Sequence, residues 1–377
     1  MNFFLQKIPA SQLDNFYNSF SRDKTFLQTS KYGDFREQLG EKNFRFGIFF
    51  GDQLVGIVQL QKIKARRGTY LHVPHGPLIN LKHQDPALSL FLQEYKNLGK
   101  KEKCDFVRIS PLVSPDTKNI FKKEKFISAP VHLVNPELTW VLDLKPKEEE
   151  LLKNMKKSTR YEVRRIEKVG IKVTQGNSKK ELDTFWQLHE ETVKRQHFIP
   201  FARATTEKEL EIFGNDLQIF SSYMEFDDST ESPEFDESKG KIEERSKPYC
   251  SHTASSTADF DKELRKFRRF YSSSIILFDN HAAYYHQGAS IYSKLPVSHA
   301  TLWTAILEAK KRGCQEFNFW GVCPENNKKH PWYGLSRFKR GFGGEEREFI
   351  HVQDYPLTTK YWLNWLIEKW RKWKRGY

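Results

Sequence analysis

The stretch RFGIFFGDQLVGIVQLQK, at residues 45–62, contains two apolar runs separated by Gly51 and Asp52. A short pair of turn residues between two such runs predicts a β-hairpin. The two predicted strands are Arg45–Phe50 and Leu54–Lys62. Their pairing indicates a β-sheet in the first part of the chain.

The elements around this hairpin alternate between helices and strands. Tyr70–Val73 and Phe106–Ile109 have the composition of short strands, and Ala87–Leu98 carries apolar residues at helical spacing. Upstream, Pro9–Phe20 predicts a helix with Ser11 as its cap. This order, with glycine and proline between the elements, predicts a mixed α/β (α+β) fold.

The rest of the chain repeats the mixed pattern. Domains usually hold about 100–150 residues, so a chain of 377 residues is expected to contain at least two. Asp227–Ser256 is rich in charged residues and serine and poor in apolar residues, which predicts a long mobile insertion. The predicted helices are Pro146–Val169, Leu182–Arg195 and Ser298–Arg312, and the predicted strands are Thr139–Leu144, Ile171–Thr174, Leu217–Phe226, Ser272–Phe278, Ala282–Ser290 and Glu316–Trp320.

Composition excludes several classes of protein. Hydrophobic residues make up 38% of the chain, which excludes global disorder. The formal net charge of +14 favours phosphate-rich partners, although a solubility surface has the same composition. The four cysteines show no C-x-x-C pair or zinc-ligand spacing, so we expect free thiols and no metal. Without a signal peptide or a run of about 18 apolar residues, the chain is expected to be cytoplasmic.

Tyr361–Trp373 predicts a C-terminal helix that is rich in tryptophan and lysine. Its apolar stripe predicts a helix that docks on the first domain. Peripheral contact with the inner membrane surface is the alternative, because interfacial helices have the same composition. The stripe consists of Trp362, Trp365 or Leu366, Trp370 and Trp373, and Lys369, Lys372 and Lys374 lie near it.

Two basic segments are candidate sites for a polyanionic substrate. The predicted helix Pro146–Val169 carries a run of six cations at residues 156–168 that can bind phosphate groups or form a solvated face. Gly334–Gly344, GLSRFKRGFGG, has glycines that permit close backbone approach to a ligand or, equally, a tight turn. We expect Leu335, Phe338 and Phe342 to anchor this segment while Arg337, Lys339 and Arg340 project around them. The six cations of this run are Lys156, Lys157, Arg160, Arg164, Arg165 and Lys168.

Tyr284–Ser290 is a further candidate, because tyrosines and a histidine beside a glycine can line a cleft or simply pack in a sheet. No Ser-His-Asp, G-x-S-x-G or H-E-x-x-H signature is present. The sequence therefore favours a transferase that orients two bound substrates over a hydrolase with a covalent nucleophile.

Four blocks, in order along nearly the whole chain, resemble the FemABX family of peptidoglycan interpeptide-bridge aminoacyltransferases. Phe26–Arg36 is similar to the family's LQ-x-x-x-W-G-x-x-K block, with Tyr32 in place of the tryptophan. Lys157–Gly170 resembles its K-x-x-R helix, and Ala283–Ser290 resembles its A-x-Y-x-x-G-A-S strand. Phe317–Gly344 resembles the closing Y-D-F-x-G and G-L-x-x-F-K-x-x-F-G-G motifs and is the most specific block.

The resemblance implies two tandem GNAT-like domains, with the C-terminal helix returning to the first. Residues 1–138, completed by about 350–377, would form the first domain. Residues 139–349, with the insertion at about 227–256, would form the second. The implied reaction moves an amino acid from aminoacyl-tRNA to the amine of a UDP-MurNAc-peptide or lipid II precursor, without a cofactor.

The same resemblance implies roles for individual residues. Lys339, beside Phe338, would lie at the reaction centre and stabilise the oxyanion or the tRNA end. Arg36, Arg160 and Arg164 would hold the phosphates of the precursor, and Tyr285 would line the peptide cleft. Ser110 and Asn318 stand where the family often has acids, so the general base is unassigned.

Two other functions stay open at this level. One is a GNAT-fold N-acyltransferase or a tRNA-dependent transferase with a different acceptor, such as a protein N-terminus. The chain lacks the Q/R-x-x-G-x-G/A loop that the acyl-CoA form normally needs. The other is a non-catalytic nucleic-acid-binding protein, suggested by charge alone.

Overall fold

The computed structural model describes residues 2–66, 68–130, 135–196, 202–227, 233–236, 241–244 and 266–375, which form two large mixed sheets covered by helices. The first part of the chain contains β1 (Phe3–Lys7), α1 (Ala10–Ser19), α2 (Ser30–Gln38), β2 (Lys42–Phe50), β3 (Gln53–Ala65), β4 (Gly68–Pro74), β5 (Leu78–Ile79), α3 (Gln84–Lys101), β6 (Phe106–Ser110), α4 (Lys118–Lys123) and β7 (Ile127–Ser128).

The second part contains β8 (Leu138–Asp143), α5 (Glu148–Asn154), α6 (Lys157–Arg165), β9 (Lys172–Gly176), α7 (Lys179–Gln196), α8 (Arg203–Phe213), β10 (Leu217–Asp227), β11 (Pro233–Asp236), β12 (Lys241–Glu244), β13 (Lys266–Phe278), β14 (Ala282–Ser290), α9 (Val297–Lys311), β15 (Glu316–Gly321), α10 (Tyr333–Arg340) and β16 (Glu345–Glu348). The chain then forms β17 (Gln353–Pro356) and α11 (Lys360–Arg375).

The first sheet is built outward from the predicted hairpin. Strands β2 and β3 pair antiparallel, with Phe50 opposite Gln53, which confirms the hairpin. The order of the strands is β1-β2-β3-β4-β6-β17-β7, and β5 pairs with β3. Strands β4 and β6 run parallel, and helix α3 packs its buried apolar side on this sheet.

The second sheet has the order β16-β8-β15-β14-β13-β10-β9 and carries a different core on each face. On one face, α9 packs with Met155, Val163 and Phe342. On the other face, α7 packs with Tyr284 and with Phe26 of the first part of the chain. The second core therefore joins the two halves of the molecule.

The end of the chain returns to the first sheet, as predicted. Strand β17 pairs with β6 and β7. Arg108 of β6 is 3% exposed and binds both carboxylate oxygens of fully buried Asp354, each at 2.8 Å. Tyr361 and Glu368 of α11 join this group, because the Tyr361 hydroxyl donates to Asp354 and the Arg108 guanidinium donates to Glu368.

Helix α11 docks on the first domain, but the prediction that its tryptophan stripe forms the docked side is wrong. The side that docks contains Tyr361, Asn364 and Glu368. Tyr361 binds Asp354 and Glu368 binds Arg108, and Asn364 is buried on the same side of the helix. The tryptophan-rich side, including Trp370 and Trp373, is exposed.

Three local predictions also need correction or limits. The expected helix Pro146–Val169 is divided, because Met155 and Lys156 are extended and the Lys156 amide donates to the Gly341 carbonyl. Ser11 does not cap α1, whose N-cap position is Pro9 with no side-chain bond. Most of the predicted insertion Asp227–Ser256 lies outside the described residues, and its described strands β11 and β12 pair with each other.

Cys104, Cys314 and Cys323 are free and buried. Across the residues that the structure describes, no helix is long and apolar enough to cross a membrane. The same residues contain no cluster of three or more histidine, cysteine or acidic side chains suited to a metal ion.

Candidate active site

Helix α10 holds the end of strand β15 with three side chains from one helical face. The Lys339 ammonium donates to the Gly321 carbonyl at 2.7 Å, and Arg340 donates to the Cys323 carbonyl at 2.7 Å. The Ser336 hydroxyl accepts from the Cys323 amide at 2.9 Å. Positions i, i+3 and i+4 lie on the same side of a helix, so this spacing directs all three groups at one backbone segment.

Lys339 is a buried lysine in an unusual setting. It is 5% exposed, and burial lowers its pKa to about 7. Among the described residues, no carboxylate lies within 4.0 Å of its ammonium. Its nitrogen also lies 5.5 Å from the ring centre of Tyr285. The side chain therefore exchanges between ammonium and free amine near neutral pH, which suits a group that contacts developing charge or moves a proton.

Tyr285 lies on β14, on the same face of the second sheet as Lys339. Its hydroxyl forms a hydrogen bond with Ser274, and burial raises its pKa to about 12, so the phenol stays protonated. Its ring extends over Gly288, where a Cβ atom would come within 1.9 Å of the Tyr285 hydroxyl oxygen. The glycine of the A-x-Y-x-x-G block thus makes room for the tyrosine side chain.

Phe338 lies between the core and a cavity of about 300 Å³. Its ring centre is 5.4 Å from that of Phe342 and 5.0 Å from that of His299. Leu335 is exposed, so only the two phenylalanines anchor α10 as expected. The cavity is formed by α6, α9 and α10, and its lining includes Thr159, Glu162, His299, Tyr333, Arg337 and Phe338.

His299 is a lining residue that the sequence analysis missed. Burial lowers its pKa to about 4, so the imidazole is neutral at physiological pH. A single histidine within an apolar helix such as α9 carries no local signal of function. Only the packing of α9 against Phe338 brings its ring to the cavity.

The glycines after α10 bring the segment against α6 and β8. A Cβ atom at Gly341 would lie 2.2 Å from the Thr159 hydroxyl oxygen. Gly344 has a φ of +101°, and a Cβ atom there would lie 2.3 Å from the Val141 carbonyl oxygen. The two alternatives left open for Gly334–Gly344 are therefore combined: residues 333–340 form a helix, and the glycines form the tight connection behind it.

The two arginines predicted on the basic helix face have different environments. Arg160 donates to the Lys153 carbonyl at 2.7 Å and so satisfies the end of α5. Arg164 is exposed on the last turn of α6. Helix α6 lines the cavity with Ser158, Thr159 and Glu162. Arg164 is rotated by about 200° from Glu162 and so lies on a different side of the helix.

Arg36 belongs to a separate group on the other face of the second sheet. Its guanidinium binds both carboxylate oxygens of Glu41 and lies over the ring of Tyr32, 5.9 Å from its centre. Tyr32 packs against the core that contains Tyr284, whereas Tyr285 packs against the opposite core. The structure therefore places Arg36 apart from Lys339, with the sheet between them.

The end of β15 joins the two faces. Trp320 has a φ of +65°, which is strained for a bulky residue, and its ring packs against Phe26, Tyr284 and His75 on the Arg36 face. The next residue, Gly321, offers its carbonyl to Lys339 on the other face. A substrate that contacts Trp320 would thus be coupled to Lys339 through a single peptide unit.

Ser110 and Asn318, the positions where an acid was expected, are occupied by local hydrogen bonds. The Ser110 hydroxyl lies 3.4 Å from the Nε2 atom of His72, whose pKa burial holds well below its usual range. The Asn318 side chain accepts from the Trp320 amide at 2.8 Å and so fixes the strained turn of β15.

A larger cavity, of about 630 Å³, lies at another junction of the two halves. Arg347 binds Glu316 at 2.8 Å and Asp23 at 3.1 Å across its lining. None of the six predicted site residues lines it. These two ion pairs join Asp23 of the first half of the molecule to Arg347 and Glu316 of the second.

Comparisons with known proteins agree with this architecture. The model of the FemAB family matches residues 8–131 and 129–369. The chain is 24% identical to "Lipid II:glycine glycyltransferase" of Staphylococcus haemolyticus (strain JCSC1435), over 91% of this chain and 90% of that protein. The crystal structure of FemX has a TM-score of 0.75 at 19% identity, covering 97% of this chain and 100% of FemX.

The fold is also similar to that of a tandem GNAT protein from the clavulanic acid biosynthesis pathway. The TM-score is 0.52 at 8% identity, and the match covers 94% of this chain and 98% of the other. The two sheets described above are therefore two tandem GNAT-like domains.

Proposed function

The chain belongs to the FemAB family of aminoacyltransferases, which form peptidoglycan cross-bridges, and we propose that it moves an amino acid from aminoacyl-tRNA to the stem-peptide amine of a lipid II-type precursor. The relative from Staphylococcus haemolyticus carries lipid II in its name, which supports a lipid-linked acceptor. The reaction would take place in the cytoplasm, where aminoacyl-tRNA is made.

The proposed chemistry is aminolysis of an activated ester. The acceptor nitrogen forms an amide bond with the aminoacyl carbon, and the ester bond to the tRNA ribose breaks. The tRNA leaves with a free hydroxyl, and the proton lost by the amine ends on that oxygen or on solvent. An acceptor amine of ordinary pKa, about 10.4, must first lose its proton, and the enzyme must align the two reactants.

Buried Lys339 is the observation that carries the proposal. Its ammonium touches the Gly321 carbonyl, and its pKa near 7 gives it both forms at working pH. As an ammonium it would stabilise the oxyanion that develops on the ester carbonyl or bind the tRNA end. Phe338, which precedes it in α10, and neutral His299, which packs against Phe338, would limit water around the ester and favour aminolysis over hydrolysis.

The charges around this centre support polyanionic substrates. Exposed Arg164 would contact phosphates of the tRNA or the precursor from the side of α6 that faces away from the cavity. Arg36 on the other face would hold the pyrophosphate of the precursor by exchanging Glu41 for phosphate oxygens. Tyr285 would pack its ring against the ammonium of Lys339. It would not line an open peptide cleft, because its ring is largely covered.

The test supplies the purified protein with a mixture of aminoacyl-tRNAs and with lipid II or the UDP-linked pentapeptide in separate reactions. Mass spectrometry should detect a precursor heavier by one or more amino acid residues with lipid II. A product only with the UDP-linked precursor would change the acceptor and keep the reaction class. No adduct with any pairing, or a product only in a parallel reaction with acyl-CoA, would overturn the proposal.

A further inference from the structure

Helix α11 is fixed to the first domain by one polar side. Tyr361 is 1% exposed and Asn364 is 8% exposed. The Tyr361 hydroxyl donates to Asp354 at 3.0 Å, and Glu368 accepts from Arg108 at 3.2 Å. These contacts set the rotation of the helix about its own axis.

The opposite side of α11 presents a continuous apolar surface to solvent. Successive residues in a helix are rotated by about 100°, so the side away from Tyr361, Asn364 and Glu368 gathers one set of large apolar side chains. Soluble proteins rarely expose a contiguous patch of this kind without a partner. The set, with exposed fractions, is Trp362 (49%), Leu363 (64%), Leu366 (59%), Trp370 (56%) and Trp373 (79%).

Cations border this apolar surface. The Lys369 ammonium lies 4.6 Å from the ring centre of Trp365, and that of Lys374 lies 5.3 Å from the ring centre of Trp370. The only acid of the helix, Glu368, faces the domain and is bound to Arg108. The solvent side of α11 is therefore apolar at its centre and positively charged at its margins.

We propose that α11 binds the surface of an anionic phospholipid bilayer, with its tryptophans at the headgroup level and its lysines against lipid phosphates. Tryptophan prefers this interface, and amphipathic helices with cationic margins lie in its plane. A second copy of the chain fits less well, because two such faces would bring like charges together. The proposal stands on the helix alone and does not depend on aminoacyl transfer.

The experiment compares the full-length protein with two variants by flotation on vesicles. The first is the double variant Trp370→Ser/Trp373→Ser, and the control is Tyr292→Ser, which removes an equally exposed aromatic ring elsewhere. Vesicles contain phosphatidylglycerol with phosphatidylcholine, or phosphatidylcholine alone. Quenching of tryptophan fluorescence by lipids brominated on the acyl chains reports insertion, which simple electrostatic attraction would not produce.

The wild-type protein and Tyr292→Ser should float with the anionic vesicles and show quenching. The double variant should bind at least about tenfold more weakly and lose the quenching, with an unchanged far-UV spectrum and melting curve. Equal binding by the double variant, or binding without quenching, would overturn the proposal. So would a wild-type dimer in sedimentation equilibrium that the double variant dissociates, since the patch would then join two copies.

Discussion

Helices α10 and α11 are both short of acids and rich in aromatic rings and cations, yet they bury opposite sides. In α10 the cations Lys339 and Arg340 face the protein, each no more than 5% exposed, and Leu335 faces solvent. In α11 three of the four tryptophans, Trp362, Trp370 and Trp373, face solvent. A tyrosine, an asparagine and a glutamate face the protein.

The difference follows from what each helix meets. Helix α10 packs beside the end of β15, whose carbonyls at Gly321 and Cys323 accept hydrogen bonds from buried cations. Helix α11 packs beside the buried Arg108–Asp354 pair, which binds the Tyr361 hydroxyl and the Glu368 carboxylate. A buried polar group needs a partner, so the partner decides the buried side of an amphipathic helix.

The largest expected effect comes from breaking the anchor of α11 with Arg108→Met. This change leaves the carboxylate of Asp354, which is fully buried, without its cation and should lower the free energy of unfolding by about 3–5 kcal/mol. The matched variant Glu368→Gln removes only a 3.2 Å contact at the rim and should cost less than about 1 kcal/mol. Urea unfolding measures both, and similar losses in the two variants would show that the buried pair does not anchor the helix.

In α10, Lys339→Met should lower kcat by at least about a hundredfold, because removing a single electrostatic contact to the transition state in a water-excluded site typically lowers kcat by about this factor. The exposed cation of the same helix is Arg337, and Arg337→Met should lower kcat by less than about tenfold, because its side chain is solvated and takes no part in the buried contact with Gly321. The rate of amide formation at saturating substrate, measured for both variants, tests the two expectations. A Lys339→Met enzyme with near-normal kcat would remove the lysine from the reaction centre.

Two glycines near this lysine provide a steric comparison. Gly288→Ala would place a Cβ within 1.9 Å of the Tyr285 hydroxyl oxygen and displace the ring below Lys339, at a cost of about 1–3 kcal/mol in stability. Gly334→Ala meets nothing within 4 Å and lies in the helix, so it should be neutral or add up to about 1 kcal/mol. Thermal melts of the two variants should move in opposite directions or differ by several degrees.

Measured over one pH unit, the smallest effect is the pH dependence of stability that Lys339 contributes. Its folded-state pKa is lowered to about 7, against an unfolded value near 10.5, so between these values the unfolded chain binds one more proton. Stability should therefore rise with pH across this window, by up to about 1.4 kcal/mol per pH unit, and be independent of this group below pH 7. Unfolding measurements should show that Lys339→Met lacks this slope, and an identical slope would contradict the buried, unpaired lysine.

Much of the fold could be read from local sequence patterns. Alternation and turn residues predicted the β2–β3 hairpin, and periodicity predicted α3, α7 and α9. The prediction of one long helix at Pro146–Val169 was wrong. The helix breaks at Met155, and the break is stabilised by a hydrogen bond from the Lys156 amide to the carbonyl of distant Gly341. Nothing within 20 residues of Met155 carries that information.

The sequence motifs could be recognised without knowing the structural role of each residue in them. Gln28 in the first block is fully buried, and its amide bonds the backbone of Gln59 and Pro74. A Cβ at Gly33 in the same block would collide with the Gln59 side chain, at 2.2 Å. Part of this block is therefore structural, which a sequence match cannot separate from a role in binding.

Local patterns established the mixed α/β class, most of the elements and the basic, aromatic character of α10 and α11, because these depend on neighbours a few residues apart. Tertiary structure alone decided that Lys339 is buried against Gly321 and Tyr285, and that Arg36 lies across the sheet from it. It also decided that three of the four tryptophans of α11 face solvent. These outcomes depend on desolvation and on hydrogen-bond partners that are supplied by distant segments. The pKa of a lysine and the buried side of a helix are therefore properties of the packed molecule.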